Sequence, residues 1–178
     1  MRLFIAIELP EQIRNTLAQL NIEQPGVRRV PPEQLHLTLH FLGDVDAEGM
    51  ERLCQRLAAV RGSAMELRLT RTGCFPDSSR PRIIWAGVEC RPSLLELFHA
   101  TGRAVAACGI ALEKRHFKPH ITLARIRTPM PHGVATGNIT AVPLPCQEFP
   151  VTGFTLFQSR LTPEGAVHSR VQMFPLQS

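Results

Sequence analysis

The chain contains no tyrosine and a single tryptophan. No phenol is therefore present to stack on a ligand or to offer a hydroxyl. Its five cysteines, at positions 54, 74, 90, 108 and 146, form no C-x-x-C pair. An odd, scattered set argues against a disulfide framework and a zinc site, and for reduced thiols in the cytoplasm. No H-x-H, H-E-x-x-H or Cys/His cluster occurs, and threonine is a poor zinc ligand, so no metal is expected. The apolar opening Leu3-Phe4-Ile5-Ala6-Ile7 is too short for a signal peptide or a membrane span and reads as a strand. Low-complexity tracts, long linkers and continuous basic tails are also missing, which leaves residues 1–178 as a single domain of two lobes.

What is present fits a soluble globular protein. Of 178 residues, 44% are hydrophobic and 20% charged, enough to bury a substantial core. The net charge is +5 and the sequence pI about 9.4. That balance suits an anionic partner such as a phosphate ester or nucleic acid. The basic residues gather in small groups: Arg28-Arg29, Arg68 and Arg71, Arg80 and Arg82, Lys114-Arg115.

One pattern occurs twice. His36-Leu37-Thr38-Leu39 and His120-Ile121-Thr122-Leu123 lie 84 residues apart. The chain holds 7 His, 12 Thr and 21 Leu, so random placement would give roughly 0.06 matches to His-x-Thr-Leu, and two copies outweigh the reading of each as a core histidine. On a strand, side chains repeat with period two. Each copy therefore points an imidazole and a hydroxyl from one face and sends the interleaved Leu or Ile into a core. His40 shares the parity of His36 and Thr38 but lies one repeat further on, and is expected as a bystander near the rim.

Around these strands the hydrophobic pattern organises the rest. Residues 2–9 are apolar on both faces and predict a central strand. Helical spacing follows Pro10 through Leu20, and Val27 to Val30 reads as a short strand. Asp44 or Asp46 can cap a helix carrying Met50, Leu53 and Leu57. Met65 to Leu69 predicts a strand broken at Gly73, paired in a hairpin with residues 82–90. Ser93-Leu94-Leu95-Glu96 reads as a capping box for the longest helix, ended by Gly109. Short strands are expected at 110–113 and within 128–147, then longer ones at 151–159 and 166–176. The class is α+β: two pseudo-symmetric antiparallel sheets with outer helices, placing the two motifs across a central cleft.

Two facing imidazoles suit general acid–base catalysis near neutral pH. One takes a proton from water while the other gives one to a leaving oxygen. Two threonine hydroxyls match the two non-bridging oxygens of a phosphodiester. A strained cyclic phosphodiester, such as the 2′,3′-cyclic end of cleaved RNA, is the natural candidate.

These residues resemble the two-histidine (2H) phosphoesterases, specifically the bacterial RNA 2′,3′-cyclic phosphodiesterases once called 2′-5′ RNA ligases. The likeness spans nearly the whole chain: Arg2-Leu3-Phe4-Ile5-Ala6-Ile7, Leu35 to Leu39 with Phe41-Leu42-Gly43, Pro119 to Arg125, and Phe154-Thr155-Leu156 with Ser159. The resemblance implies metal-independent, cofactor-free hydrolysis of RNA 2′,3′-cyclic phosphate ends to 2′-phosphomonoesters, reversible in principle as ligation. It implies His36 as proton donor, His120 as proton acceptor, and Thr38 and Thr122 as holders of the phosphate oxygens. Arg125 and Phe41 stand where relatives bind nucleotide, yet their strand parity is opposite to the motif residues, so a bulge is needed to bring them round. His168 stands where relatives often carry tyrosine and is the remaining substrate-binding candidate. The expected partner is RNA, or a nucleotide, with a 2′,3′-cyclic phosphate; neither a membrane nor an obligate protein partner is expected, and the chain should be monomeric. Two other readings stay open: a phosphodiesterase on a small cyclic nucleotide or 2′-5′ oligonucleotide, and a non-catalytic nucleotide- or RNA-binding protein.

Overall fold

The computed structural model describes residues 1–22, 26–78, 81–114, 116–126, 144–145, 147–163 and 165–177. Along the chain run β1 (Arg2–Glu8), α1 (Glu11–Ala18), β2 (Val27–Arg29), a 3-10 turn (Pro32–Gln34), β3 (His36–Asp44), α2 (Ala47–Ala58), β4 (Met65–Phe75), β5 (Ile83–Val88), α3 (Pro92–Ala106), β6 (His120–Ile126), β7 (Glu148–Val151), β8 (Gly153–Thr162) and β9 (Gly165–Pro175). This is an α+β fold. Most of the stretch 128–147, expected to hold an irregular strand, lies outside the described residues, as do Arg80, Arg115 and Cys146.

The sequence pattern explains most elements. β1 is apolar on both faces because it is central, paired with β3 on one side and β8 on the other. Asp46 caps α2, accepting a hydrogen bond from the Gly49 amide at 2.7 Å. Gly109, at φ +75°, ends the turn after α3 in the left-handed region that glycine tolerates.

Four expectations are corrected. The Ser93–Glu96 capping box does not form, because α3 begins at Pro92 with Arg91 as its cap; proline fits the first turn, where no donor is needed. Residues 110–113 form no strand. β4 does not break at Gly73 but runs on to Phe75, still paired with β5. Finally, the described strands make one sheet and not two, in the order β7-β4-β5-β6-β3-β1-β8-β9, with β2 also on β6. Every one of these strand pairings is antiparallel.

The two halves join where β3 meets β6, through one register pair, Leu37 opposite Ile121. Each strand would otherwise leave a row of unpaired backbone groups, and the pairing satisfies part of both. Since Leu37 follows His36 and Ile121 follows His120, an approximate twofold axis passes between the pair. Leu37 and Ile121 are fully buried in a core cluster that draws on strands and helices from both halves.

Candidate active site

The antiparallel register at Leu37 and Ile121 determines the neighbours on the opposite face. One step away in each direction, His36 comes beside Thr122 and Thr38 beside His120. The two motifs are thus interleaved about the twofold, each histidine next to the other motif's threonine.

Both imidazoles are held alike. His36 Nδ1 lies 2.7 Å from the Gln34 carbonyl oxygen, and His120 Nδ1 lies 2.6 Å from that of Lys118. A carbonyl only accepts, so Nδ1 carries hydrogen in each ring. In the neutral state Nε2, on the far side of each ring, is then the basic nitrogen. Both rings also rest on aromatics. His36 lies 4.9 Å from Phe4, which stacks on Phe157 at 5.1 Å, and 5.4 Å from His168 edge-on. His120 meets Phe75 edge-on at 5.0 Å and Trp85 at 6.4 Å.

Phe41 and Arg125 reach the motif face through matching bulges. On β3, Thr38 pairs with Ala6 but His40 pairs with Ile5, so Leu39 is the extra residue. On β6, Thr122 pairs with Trp85 but Ala124 pairs with Ile84, so Leu123 is the extra residue. Each bulge inverts the parity beyond it. Phe41, five residues after His36, turns to the motif face beside Phe4, with ring centroids 6.3 Å apart. Arg125, five residues after His120, turns the same way.

The first bulge corrects the expectation for His40. It does not share the motif face but is buried against α3, where Nε2–H donates to the Phe98 carbonyl at 2.9 Å and lies 3.1 Å from Thr101 Oγ1. His168 does stand beside the site, 4.8 Å from Phe4. Its Nδ1 is buried without a hydrogen-bond partner.

Burial is the main force on the titrations here. It lowers the His36 pKa from 6.5 to about 4, aided by the nearby His168, Arg125 and His120 and opposed by the Gln34 hydrogen bond. The His120 pKa is lowered by burial and by Arg125, against the Lys118 bond. His168 is lowered by burial and Arg125. Arg125 thus disfavours the charged form of all three imidazoles.

Sequence reasoning missed the aromatic supports Phe4, Phe157, Phe75 and Trp85, and the carboxylate of Glu8. Glu8 is the register partner of His36 on β1. It accepts from Thr155 Oγ1 at 2.7 Å and pairs with Arg170. Phe4 and Glu8 share the minor face of β1, opposite Leu3, Ile5 and Ile7; a phenyl and a carboxylate aligned with the motif strand were the available signal.

Among the described residues no group of three or more His, Cys, Asp or Glu side chains is arranged to hold a metal ion. Cys54, Cys74, Cys90 and Cys108 are free thiols. None of the described helices is long and apolar enough to cross a membrane.

The profile of the LigT like Phosphoesterase family matches the chain twice, over residues 5–85 and 88–168. The chain belongs to this family of phosphoesterases. Among its relatives, an RNA 2′,3′-cyclic phosphodiesterase of Archaeoglobus fulgidus is 32% identical over 98% of this chain and 99% of its own length. Another, of Thermus thermophilus, is 37% identical over 99% and 91%. The solved structure of TT0787 of Thermus thermophilus superposes with a TM-score of 0.86 at 36% identity, covering 99% of this chain and 98% of that one. The Escherichia coli LigT structure complexed with 3′-AMP gives 0.84 at 30% identity, with the same coverage of 99% and 98%.

Proposed function

We propose that the chain hydrolyses RNA 2′,3′-cyclic phosphodiester ends to 2′-phosphomonoesters, with the two histidines as base and acid. The observation that carries this reading is the equivalence of His36 and His120: each is bonded through Nδ1 to the carbonyl two residues before it, and each stands next to the other motif's threonine. Full-length likeness to relatives named RNA 2′,3′-cyclic phosphodiesterase supports the substrate class.

In this reading Thr38 and Thr122 donate to the non-bridging phosphate oxygens, and Arg125 balances their charge. Nε2 of His120 takes a proton from water as its oxygen attacks phosphorus. The bond from phosphorus to O3′ breaks, and Nε2 of His36 gives its proton to O3′. The phosphate remains on O2′. Burial favours neutral His36 in the free protein. The anionic phosphodiester and its neutralising contact with Arg125 raise that affinity for a proton, so the acid is charged when substrate is in place. Phe41 offers a face for the terminal base, and His168 lines the same wall.

The test is turnover of a short RNA ending in 2′,3′-cyclic phosphate, with EDTA present, for wild type, His36→Ala and His120→Ala, the product being read by phosphorus NMR. A 2′-phosphate from wild type and losses of about 10²-fold or more in each variant support the reading. Activity that vanishes in EDTA and returns with zinc would overturn the metal-independent mechanism. Wild-type binding without turnover would leave a nucleotide-binding protein.

A further inference from the structure

The Arg28-Arg29 pair on β2 plays no part in the chemistry above, yet its two side chains are sharply divided. Arg29 reaches to the helix side, where its Nη2 donates to the Ala18 carbonyl at 2.6 Å at the end of α1. Neighbours on a strand point to opposite faces. Arg28 is therefore on the other face, that of the motifs. The register agrees: Arg28 pairs directly with Arg125 across β2 and β6, and directly opposed residues share a face.

Like charges on directly opposed residues are unfavourable. Among the described residues no carboxylate forms an ion pair with either. Arg28 instead crosses toward the β8–β9 hairpin and lies against Gly165. A β-carbon on Gly165 would fall 2.6 Å from Arg28 Nη2 and 2.8 Å from both Cζ and Nη1. The Nη1–Nη2 end of the guanidinium is thus the part that lies against the glycine. Arg28 stands one strand beyond Arg125 as seen from His120.

We propose that Arg28 binds the phosphodiester immediately 5′ of the terminal nucleotide, making the site select an RNA chain end over a free cyclic nucleotide. The inference rests on the reading of the reaction given above. Successive phosphates of one strand would supply adjacent anions to the two cationic residues of this register pair. Arg125 takes the reacting phosphate, and Arg28 the next one.

The test compares adenosine 2′,3′-cyclic phosphate with a hexanucleotide RNA ending in 2′,3′-cyclic phosphate, for wild type, Arg28→Gln and Arg28→Lys. The Arg28→Gln loss in kcat/KM should be about tenfold larger on the RNA than on the mononucleotide, carried by KM. Arg28→Lys, which keeps the charge, should restore most of the difference. The slope of log kcat/KM against log salt on RNA should become shallower by about 0.7 in Arg28→Gln, one phosphate contact having gone. The wild type alone gives a second reading: its slope must be steeper on RNA than on the mononucleotide. Equal losses on both substrates would make Arg28 a strut between β2 and the hairpin, and no loss on either would make it a bystander; both outcomes overturn the proposal. Wild type turning over neither substrate removes the reaction and this proposal together, whereas a normal wild type with an unchanged substrate ratio removes the proposal alone.

Discussion

The indole of Trp85 fills the space that a β-carbon on Gly73 would need. The two residues are register partners on β5 and β4, and such a carbon would lie 2.3 Å from Cη2 and Cζ2 of the ring. The indole cannot yield easily, since it also packs on Phe75 at 5.2 Å and stands near His120. Gly73→Ala should therefore cost about 1–3 kcal/mol in chemical denaturation through overpacking. It should also lower kcat roughly tenfold or more by displacing the support of His120. Adding Trp85→Phe should recover part of the stability; if the double variant is no more stable than Gly73→Ala, the clash is not the cause.

The pH profile follows from the lowered histidines. For one acid and one base, kcat/KM peaks midway between their free-enzyme pKa values. His36 titrates near 4 and His120 below its usual 6.5, so the peak should fall on the acid side of pH 6.5. In kcat, which reports the complex, the bell should move upward because the substrate anion favours both protonated rings. Arg125→Gln should raise the pKa of His36, His120 and His168 in NMR titrations of the free protein. A kcat/KM optimum above pH 8 would contradict this account.

Acid should destabilise the fold before the carboxylates titrate. The folded pKa values of His36 and His40 lie below that of an unfolded histidine. The unfolded chain thus takes up protons first as pH falls, so stability rises with pH across this window. The histidine contribution is intact above about pH 6.5 and, for His36, is lost progressively on the way down to about 4. Tm should decline between pH 7 and pH 5, and His36→Gln should flatten that decline.

His40 ties the first bulge to α3. His40→Ala removes the bond to the Phe98 carbonyl and the ring stacked on Phe98 at 4.3 Å. A loss of about 1–3 kcal/mol is expected by urea unfolding. Because the same bulge turns Phe41 outward, KM for RNA should rise more than kcat falls. An unchanged KM in a folded His40→Ala protein would separate the helix contact from the placement of Phe41.

The heart of the site was legible because strand parity alone puts His36 with Thr38 and His120 with Thr122. Chain order and the doubled motif also showed the two halves. The bulges at Leu39 and Leu123 were not legible, since the apolar alternation Leu35-Leu37-Leu39-Phe41 runs on without a glycine or other mark of an extra residue. His40 was misplaced for that reason. Phe41 and Arg125 could be included only on the condition that something inverted the parity, and the register shifts supply it. The joining of the sheets was hidden for another reason: Leu37 facing Ile121 is a contact across 84 residues, and local periodicity carries no information about it. Trp85 read as an ordinary strand residue because its role depends on Gly73 of the neighbouring strand, and Phe75 was placed in a break that does not occur.

The fifth position after each motif histidine is one place where the twofold symmetry is broken, with a phenyl ring at Phe41 and a guanidinium at Arg125. His36 and His120 are held alike, each through Nδ1 to the carbonyl two residues before it. An RNA end is itself polar, with a base on one side of its sugar and a charged ester on the other. In the proposed reaction this unlike pair helps to set the orientation of that end, and with it which ribose oxygen departs. A fold that is nearly a palindrome would acquire its sense of direction from such mismatches.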